Sequence, residues 1–172
     1  MDPLTQLIKL LHPHSLRWKR LEATGDWALQ FRGHDGVSFC MLGKGDCDIQ
    51  LEGQQREHLG EGDLVLLNAP PCWVLMHGRH AQVEDFEASY AGVDGSTALV
   101  GTSNSGSVTH LLGGQISFGS GNIRLLRGVL PAMLRIPSSD PSSGRLHKVL
   151  EWIGDEAVSE KPGRGLILGQ CR

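Results

Sequence analysis

The chain has 172 residues, enough for one domain with a substantial core, or one domain with a helical appendage, and too few for two domains of ordinary size. Charged residues make up 20% and the formal net charge is -3, which excludes a general attraction to nucleic-acid phosphates or to an anionic membrane. Four cysteines, Cys40, Cys47, Cys72 and Cys171, show no C-x-x-C spacing, and the first three lie in or beside apolar runs where a reduced thiol packs as a small hydrophobe. A cytoplasmic location is expected, because residues 1–20 hold no signal-peptide core and no apolar run reaches the about 18 residues of a membrane helix.

In chain order, Asp2-Pro3 supplies an N-cap and first-turn pair for a short helix with Leu4, Leu7, Ile8 and Leu11 on one face, and His12-Pro13 stops it. From Trp27 to Met76 the pattern changes to short apolar runs broken by glycine and aspartate. These predict strands from Trp27 to Phe31, Val37 to Leu42, Asp46 to Leu51, Arg56 to Leu59, Leu64 to Leu67 and Trp73 to Met76, the spacing of an all-β barrel or sandwich. Alternation puts Val37, Phe39 and Met41 on one side of their strand, and Cys47, Ile49 and Leu51 opposite Asp46, Asp48 and Gln50 on theirs; both apolar sets are expected inside.

Between Ala88 and Gly114 the chain is rich in glycine, serine and threonine. Strands are predicted from Thr97 to Gly101, Val108 to Leu112 and Gly114 to Phe118, with a mobile stretch near Thr102 to Ser107. A short helix follows from Arg124 to Leu130, then a serine- and proline-rich hinge from Ser138 to Gly144. Leu146, Val149, Leu150 and Ile153 form an apolar stripe on a helix reaching about Ser159. Lys161-Pro162-Gly163 breaks the chain again, and Leu166 to Leu168 opens a further helix that the sequence does not finish.

One turn carries a familiar pattern. Leu59-Gly-Glu-Gly-Asp63 runs into the apolar Leu64-Val-Leu-Leu67, with Gly62 suited to positive φ and Asp63 suited to capping the turn. Together with Asp2-Pro3-Leu4, Gly25-Asp-Trp27-Ala-Leu-Gln-Phe31, the run from Gly43 to Gly53, Leu111-Leu-Gly-Gly114 leading into Ile116-Ser-Phe118, Leu130-Pro131 and Glu160-Lys-Pro162-Gly163, the chain resembles the cupin-like N-terminal domains of AraC-type transcription regulators. The resemblance implies a mainly β fold, a cupin-like β-barrel or jelly roll with a short N-terminal helix and C-terminal α-helices. It implies a sensor barrel over residues 1–136 and a helical hinge and dimerisation segment over residues 137–172, ending before a helix-turn-helix domain.

The functional residues divide in the same way. Trp27, Phe39, Met41, Cys47 and Trp73 are the candidate lining of an apolar effector pocket, with core packing as the alternative for Cys47 and Trp73. Leu146, Val149, Leu150 and Ile153 are the candidate dimerisation stripe, with packing on the barrel as the alternative. Enzymatic cupins carry an H-x-H pair that this chain lacks, and relatives of the regulator type place cysteine, histidine and cysteine where Cys47, Trp73 and Gly113 stand here; only Cys47 matches. No metal, no cofactor and no catalysis are therefore expected. His77 and His80 read as solvated histidines. The partners implied are a small-molecule effector, a second copy of the chain, and DNA through the absent helix-turn-helix half only. The rival readings are a metal-dependent cupin enzyme, such as a small dioxygenase or isomerase, and a stand-alone ligand-binding cupin.

Overall fold

The computed structural model describes residues 15–79, 81–90, 97–101 and 106–148. The strands are β1 (Ser15–Thr24), β2 (Trp27–Phe31), β3 (Val37–Lys44), β4 (Cys47–Leu51), β5 (Glu57–Leu59), β6 (Leu64–Asn68), β7 (Trp73–His77) and β8 (Val83–Asp85), followed by the one-turn helix α1 (Phe86–Tyr90). Then come β9 (Thr97–Val100), β10 (Val108–Ser117), α2 (Ser120–Val129) and β11 (Met133–Ile136), and helix resumes over residues 143–148. The predicted N-terminal helix of Leu4, Leu7, Ile8 and Leu11, most of the stretch from Thr102 to Ser107, and the stripe residues Val149, Leu150 and Ile153 lie outside the described residues.

Six strands form one sheet in the order β11-β6-β3-β10-β1-β9, and five form the other in the order β5-β4-β7-β2-β8. The sheets pack face to face as a jelly-roll-like cupin sandwich, without closing into a barrel. Strand β4 of the five-stranded sheet turns one apolar face inward, as the burial of Cys47, Ile49 and Leu51 beside half-buried Asp48 and Gln50 shows.

The six-stranded sheet is buried on both faces, which divides the apolar residues between two cores. Cys40 and Leu42 of β3, Val65 and Leu67 of β6, and Leu111 of β10 face the other sheet. Val37, Phe39, Met41, Leu64, Leu66, Leu112 and Ile116 face away, into an outer core closed by Ile123 and Leu126 of α2 and by Leu146. The expectation that Val37, Phe39 and Met41 face the interior is thus corrected. Alternation separates the two faces of a strand, but where both faces are apolar it does not say which one meets the second sheet.

Four elements escaped the sequence pattern. Strand β1 carries Arg17, Lys19, Arg20 and Glu22 among few apolar residues, and its ten-residue antiparallel register with β10 supplies the order that its own pattern lacks. Strand β8, helix α1 and strand β11 are too short for a periodic signal. Strand β10 runs unbroken through Gly113 and Gly114, where the sequence suggested two strands; an added Cβ at Gly114 would collide with the Arg17 carbonyl and the Phe39 ring, so the tight approach of β1 and Phe39 requires glycine there.

Two polar devices fix the edges. The Asn68 side-chain amide donates to the Leu126 and Leu130 carbonyls at 3.2 and 2.9 Å, satisfying the C-terminal end of α2 from the end of β6. Asp63 accepts from the Gly60 and Ser138 backbone N–H groups at 2.9 and 3.0 Å and from the Arg135 guanidinium at 2.8 Å, tying the β5–β6 turn to β11.

Candidate functional site

The five expected lining residues do not come together. Phe39 and Met41 lie in the outer core beneath α2, whereas Trp27, Cys47 and Trp73 lie between the sheets. Register then separates this second group. Trp27 pairs with His77 while Phe31 and Leu51 pair with Trp73, so the two indoles sit at opposite ends of the inner face. The row between them, Leu29, Ile49 and Leu75, is 0–3% exposed. Side chains without accessible surface touch no water-sized void, so this middle row is closed to a ligand.

At the first end the register sets Cys47 and Trp27 on either side of His77. The Nδ1 atom of His77 lies 3.1 Å from the Gly25 carbonyl, which can only accept, so Nδ1 carries the proton. Its Nε2 faces the Ser107 hydroxyl at 3.5 Å and the Asp46 carboxylate at 3.7 Å. His77 is therefore an anchored residue and not the solvated histidine that its place at a strand end suggested; His80 lies outside the described residues. His58 sits across Asp48, with Nδ1 at 2.7 Å from that carboxylate.

Burial, followed by the nearby Cys40, Asp48 and Asp46, pushes the Cys47 thiol far above its ordinary range, and burial alone pushes Cys40 up to about 12. Neither is a nucleophile at neutral pH. Iodoacetamide at about pH 8 is accordingly expected to modify half-buried Cys72 in the native chain while sparing Cys40 and Cys47 until the chain unfolds. Peptide mass mapping reads the outcome, and native labelling of Cys47 would overturn its assignment to packing.

The second end is aromatic. Trp73 stacks on Phe31 with ring centroids 4.2 Å apart and planes 13° from parallel, Phe31 meets Phe86 at 4.8 Å, and Phe86 meets Tyr90 at 5.7 Å. From the facing sheet, Lys19 brings its ammonium to 5.3 Å from the Phe86 ring centre and donates to the Tyr90 carbonyl. Lys19, Phe31, Phe86, Tyr90 and Gly113 all face inward or pack on the inner core yet remain half-buried, unlike the sealed middle row. Gly113 stands between Lys19 and Cys40 in register, and a Cβ there would find nothing nearer than a backbone oxygen at 3.4 Å.

What holds this mouth in shape is the turn from β8 into α1. The Asp85 carboxylate accepts from the Ala88 backbone N–H at 3.1 Å and pairs with Arg32 at 3.1 Å, and the Tyr90 hydroxyl donates to Glu84 at 3.0 Å. The hydrogen bond from Ala88, then Arg32, hold the Asp85 carboxyl below its ordinary pKa. Trp73, 5% exposed, has its indole N–H buried without a partner, as does Trp27 at the other end. Sequence reasoning missed Lys19, Phe86 and Tyr90; the signals were a lysine in step with Leu21 and Ala23, and two aromatic residues four apart.

A third feature is an open cleft of about 540 Å³ between Gly33, His34, Asp35, Pro70, Pro71 and Arg127, where Arg127 pairs with Asp35 and His34 meets the Ser38 hydroxyl at 2.8 Å. Among the described residues, no three histidine, cysteine or acidic side chains are disposed to hold a metal.

Comparison with known proteins matches the family model described as Cupin to residues 2–171. An AraC-like transcription regulator of Streptomyces lividans is 28% identical over 171 residues, 99% of this chain and 55% of the regulator, so the chain spans about half of that relative's length. Among solved structures, ToxT of Vibrio cholerae strain SCE256 with a bound unsaturated fatty acid has a TM-score of 0.47 and 11% identity over 80% of this chain and 46% of that one. Hazelnut vicilin has a TM-score of 0.28 and 14% identity over 94% of this chain and 37% of that one. With the family model spanning all but the ends of a two-sheet jelly-roll sandwich, this chain belongs to the cupin family.

Proposed function

We propose that the chain is the effector-sensing and dimerisation half of a cytoplasmic AraC-type transcription regulator, which binds a small molecule and acts on DNA through a helix-turn-helix half outside this sequence. The observation that carries the sensing role is the aromatic end: a cluster of half-buried rings packed on the inner core with a few polar groups beside them. Such a site binds more readily than it catalyses, since no activated nucleophile or paired acid and base stands there. The whole-length likeness to the Streptomyces regulator supports the same reading.

Transmission follows from the two-sided sheet. Strands β1 and β10 present Lys19 and Gly113 to the effector end and Trp18, Leu112 and Ile116 to the outer core, where α2 and Leu146 pack. An effector that binds one arrangement of these strands better than another biases the helices beyond, and one that binds both equally shifts nothing. Leu146 packs into the outer core of its own chain, and the rest of the stripe, Val149, Leu150 and Ile153, then pairs two copies of the chain.

A thermal-shift screen of small metabolites tests the sensing role. A compound present at 100 times its Kd stabilises the native state by about 2.7 kcal/mol, so a true effector produces a rise of several degrees. If no compound raises the midpoint, the sensing role fails. Light scattering tests the pairing: the double change Val149→Glu, Leu150→Glu is expected to turn a dimer into a monomer, and an unchanged mass would remove the stripe from the interface.

A further inference from the structure

We infer that the cleft between the β2–β3 loop, the β6–β7 loop and α2 is a second small-molecule site, and that its ligand is a zwitterionic α-amino acid whose carboxylate meets Arg127 and whose ammonium meets Asp35. None of its lining residues belongs to the aromatic cluster, so the inference goes beyond the sensing role proposed above and does not rest on it.

The cleft, about 540 Å³ in volume, has walls built for rigidity. A Cβ at Gly33 would come within 2.5 Å of the Pro70 carbonyl oxygen, so these two loops approach as closely as their backbones allow. Pro70 and Pro71 fix their own φ angles. Ala69, just before them, has a φ of 44°, in the left-handed region that its side chain disfavours, whereas a following proline favours extended backbone. The Ala69 N–H donates to the Gly36 carbonyl at 2.8 Å, which ties the strained residue to the opposite loop. Backbone held in so unfavourable a conformation persists only where its surroundings impose it, and such residues concentrate at ligand clamps.

Across this frame stand one cation and one anion. Arg127 of α2 pairs with Asp35 of the β2–β3 loop at 2.5 Å, with the two side chains 45% and 90% exposed. An ion pair this open to water contributes little, so a ligand can part it at small cost. A lone anion at Arg127 would face the Asp35 carboxylate, and a lone cation at Asp35 would face the guanidinium. A molecule that carries both charges on one carbon replaces the pair with two of the same kind, and the guanidinium fork suits its carboxylate. His34, the remaining ionisable group of the cleft, leaves that balance neutral, because burial lowers its pKa against the opposing pull of Asp35. Its Nε2 lies 2.8 Å from the buried Ser38 hydroxyl, which holds the ring in place.

The position of the site gives it a route to the outer core. Arg127 follows Leu126, which is 1% exposed beneath α2, and the Leu126 carbonyl is held by Asn68, next in the chain to Ala69. A ligand that bridges Asp35 and Arg127 therefore couples the β2–β3 loop to the helix that closes that core.

The test is isothermal titration of the full chain with the common L-amino acids, each that binds being compared with its N-acetyl derivative, which lacks the ammonium, and its primary amide, which lacks the carboxylate. At least one amino acid is expected to bind, at least about 10-fold more tightly than either derivative. Asp35→Asn is expected to abolish the preference over the N-acetyl form, and Arg127→Gln the preference over the amide. Both positions are solvent-exposed, so an unchanged melting midpoint is expected for each variant. The comparison of derivatives on the wild-type chain decides the ligand class without any variant.

Binding of no amino acid would overturn the inference. Equal binding of either derivative would overturn the zwitterion, and binding that neither variant alters would place the ligand outside this cleft. Each of these results leaves the aromatic end to be judged by the metabolite screen alone.

Discussion

Truncation of Phe39 to alanine is expected to lower the stability of the chain by about 3–5 kcal/mol, read as a fall in the urea midpoint at unchanged slope. Phe39 is 2% exposed, sits centrally on the outer face of the six-stranded sheet, and its ring lies over Gly114 beneath α2. Removing the ring leaves a cavity bounded by β3, β10 and α2, and strands on both sides are held by their own hydrogen-bond ladders, so the site cannot collapse to fill it. A loss below about 1 kcal/mol would mean that α2 does not seal this face.

Replacement of Asp63 by alanine is expected to cost about 2–4 kcal/mol at neutral pH, because the Gly60 and Ser138 N–H groups and Arg135 lose one shared acceptor that is nearly sealed from water. The guanidinium is itself 41% exposed and recovers hydration, so most of the loss belongs to the two backbone donors. Burial pushes the Asp63 carboxyl upward, but the two N–H groups and Arg135 outweigh it and hold the pKa below its ordinary value of 3.8.

The sign of the pH dependence follows. A carboxyl depressed in the folded state contributes its full stabilisation above the unfolded value and loses it as the pH falls from about 3.8 through the folded pKa. Denaturation midpoints at pH 7 and pH 3 should therefore converge for wild type and Asp63→Asn, and a gap that persists undiminished at pH 3 would take the ionised carboxylate out of the account.

Strands β2, β4, β5 and β7 of the five-stranded sheet were legible in the sequence because short apolar runs bounded by turn residues mark them, and in β4 the buried face alternates with the one that meets solvent. In β4, Cys47, Ile49 and Leu51 alternate with Asp48 and Gln50, and the burial follows the same alternation. The six-stranded sheet was harder for the opposite reason: β3 is buried from Val37 to Leu42 without interruption, so its residues carry no mark of which core they enter. The turn role of Asp63 was legible, since the Gly-Asp pair is local, but its partners Ser138 and Arg135 lie more than seventy residues on and have no local signature.

The candidate site was the least legible part. Trp73 stood out as an aromatic residue on an apolar strand, but its neighbours come from β1, β2 and α1, and only the register of two sheets and the capped turn at Asp85 bring them together. Lys19 was hidden because a charged residue in an unrecognised strand reads as surface. His77 misled in the same manner, since the carbonyl that anchors it belongs to a turn fifty-two residues earlier.

Gly113 and Gly114 leave the six-stranded sheet without side chains at two consecutive positions, one on each face. A methyl group added at 113 would meet nothing nearer than a backbone oxygen at 3.4 Å, whereas one added at 114 would press on both the Arg17 carbonyl and the Phe39 ring. Two adjacent codons thus differ sharply in what the sheet tolerates. Single substitutions can therefore accumulate at 113 in a lineage while 114 stays glycine.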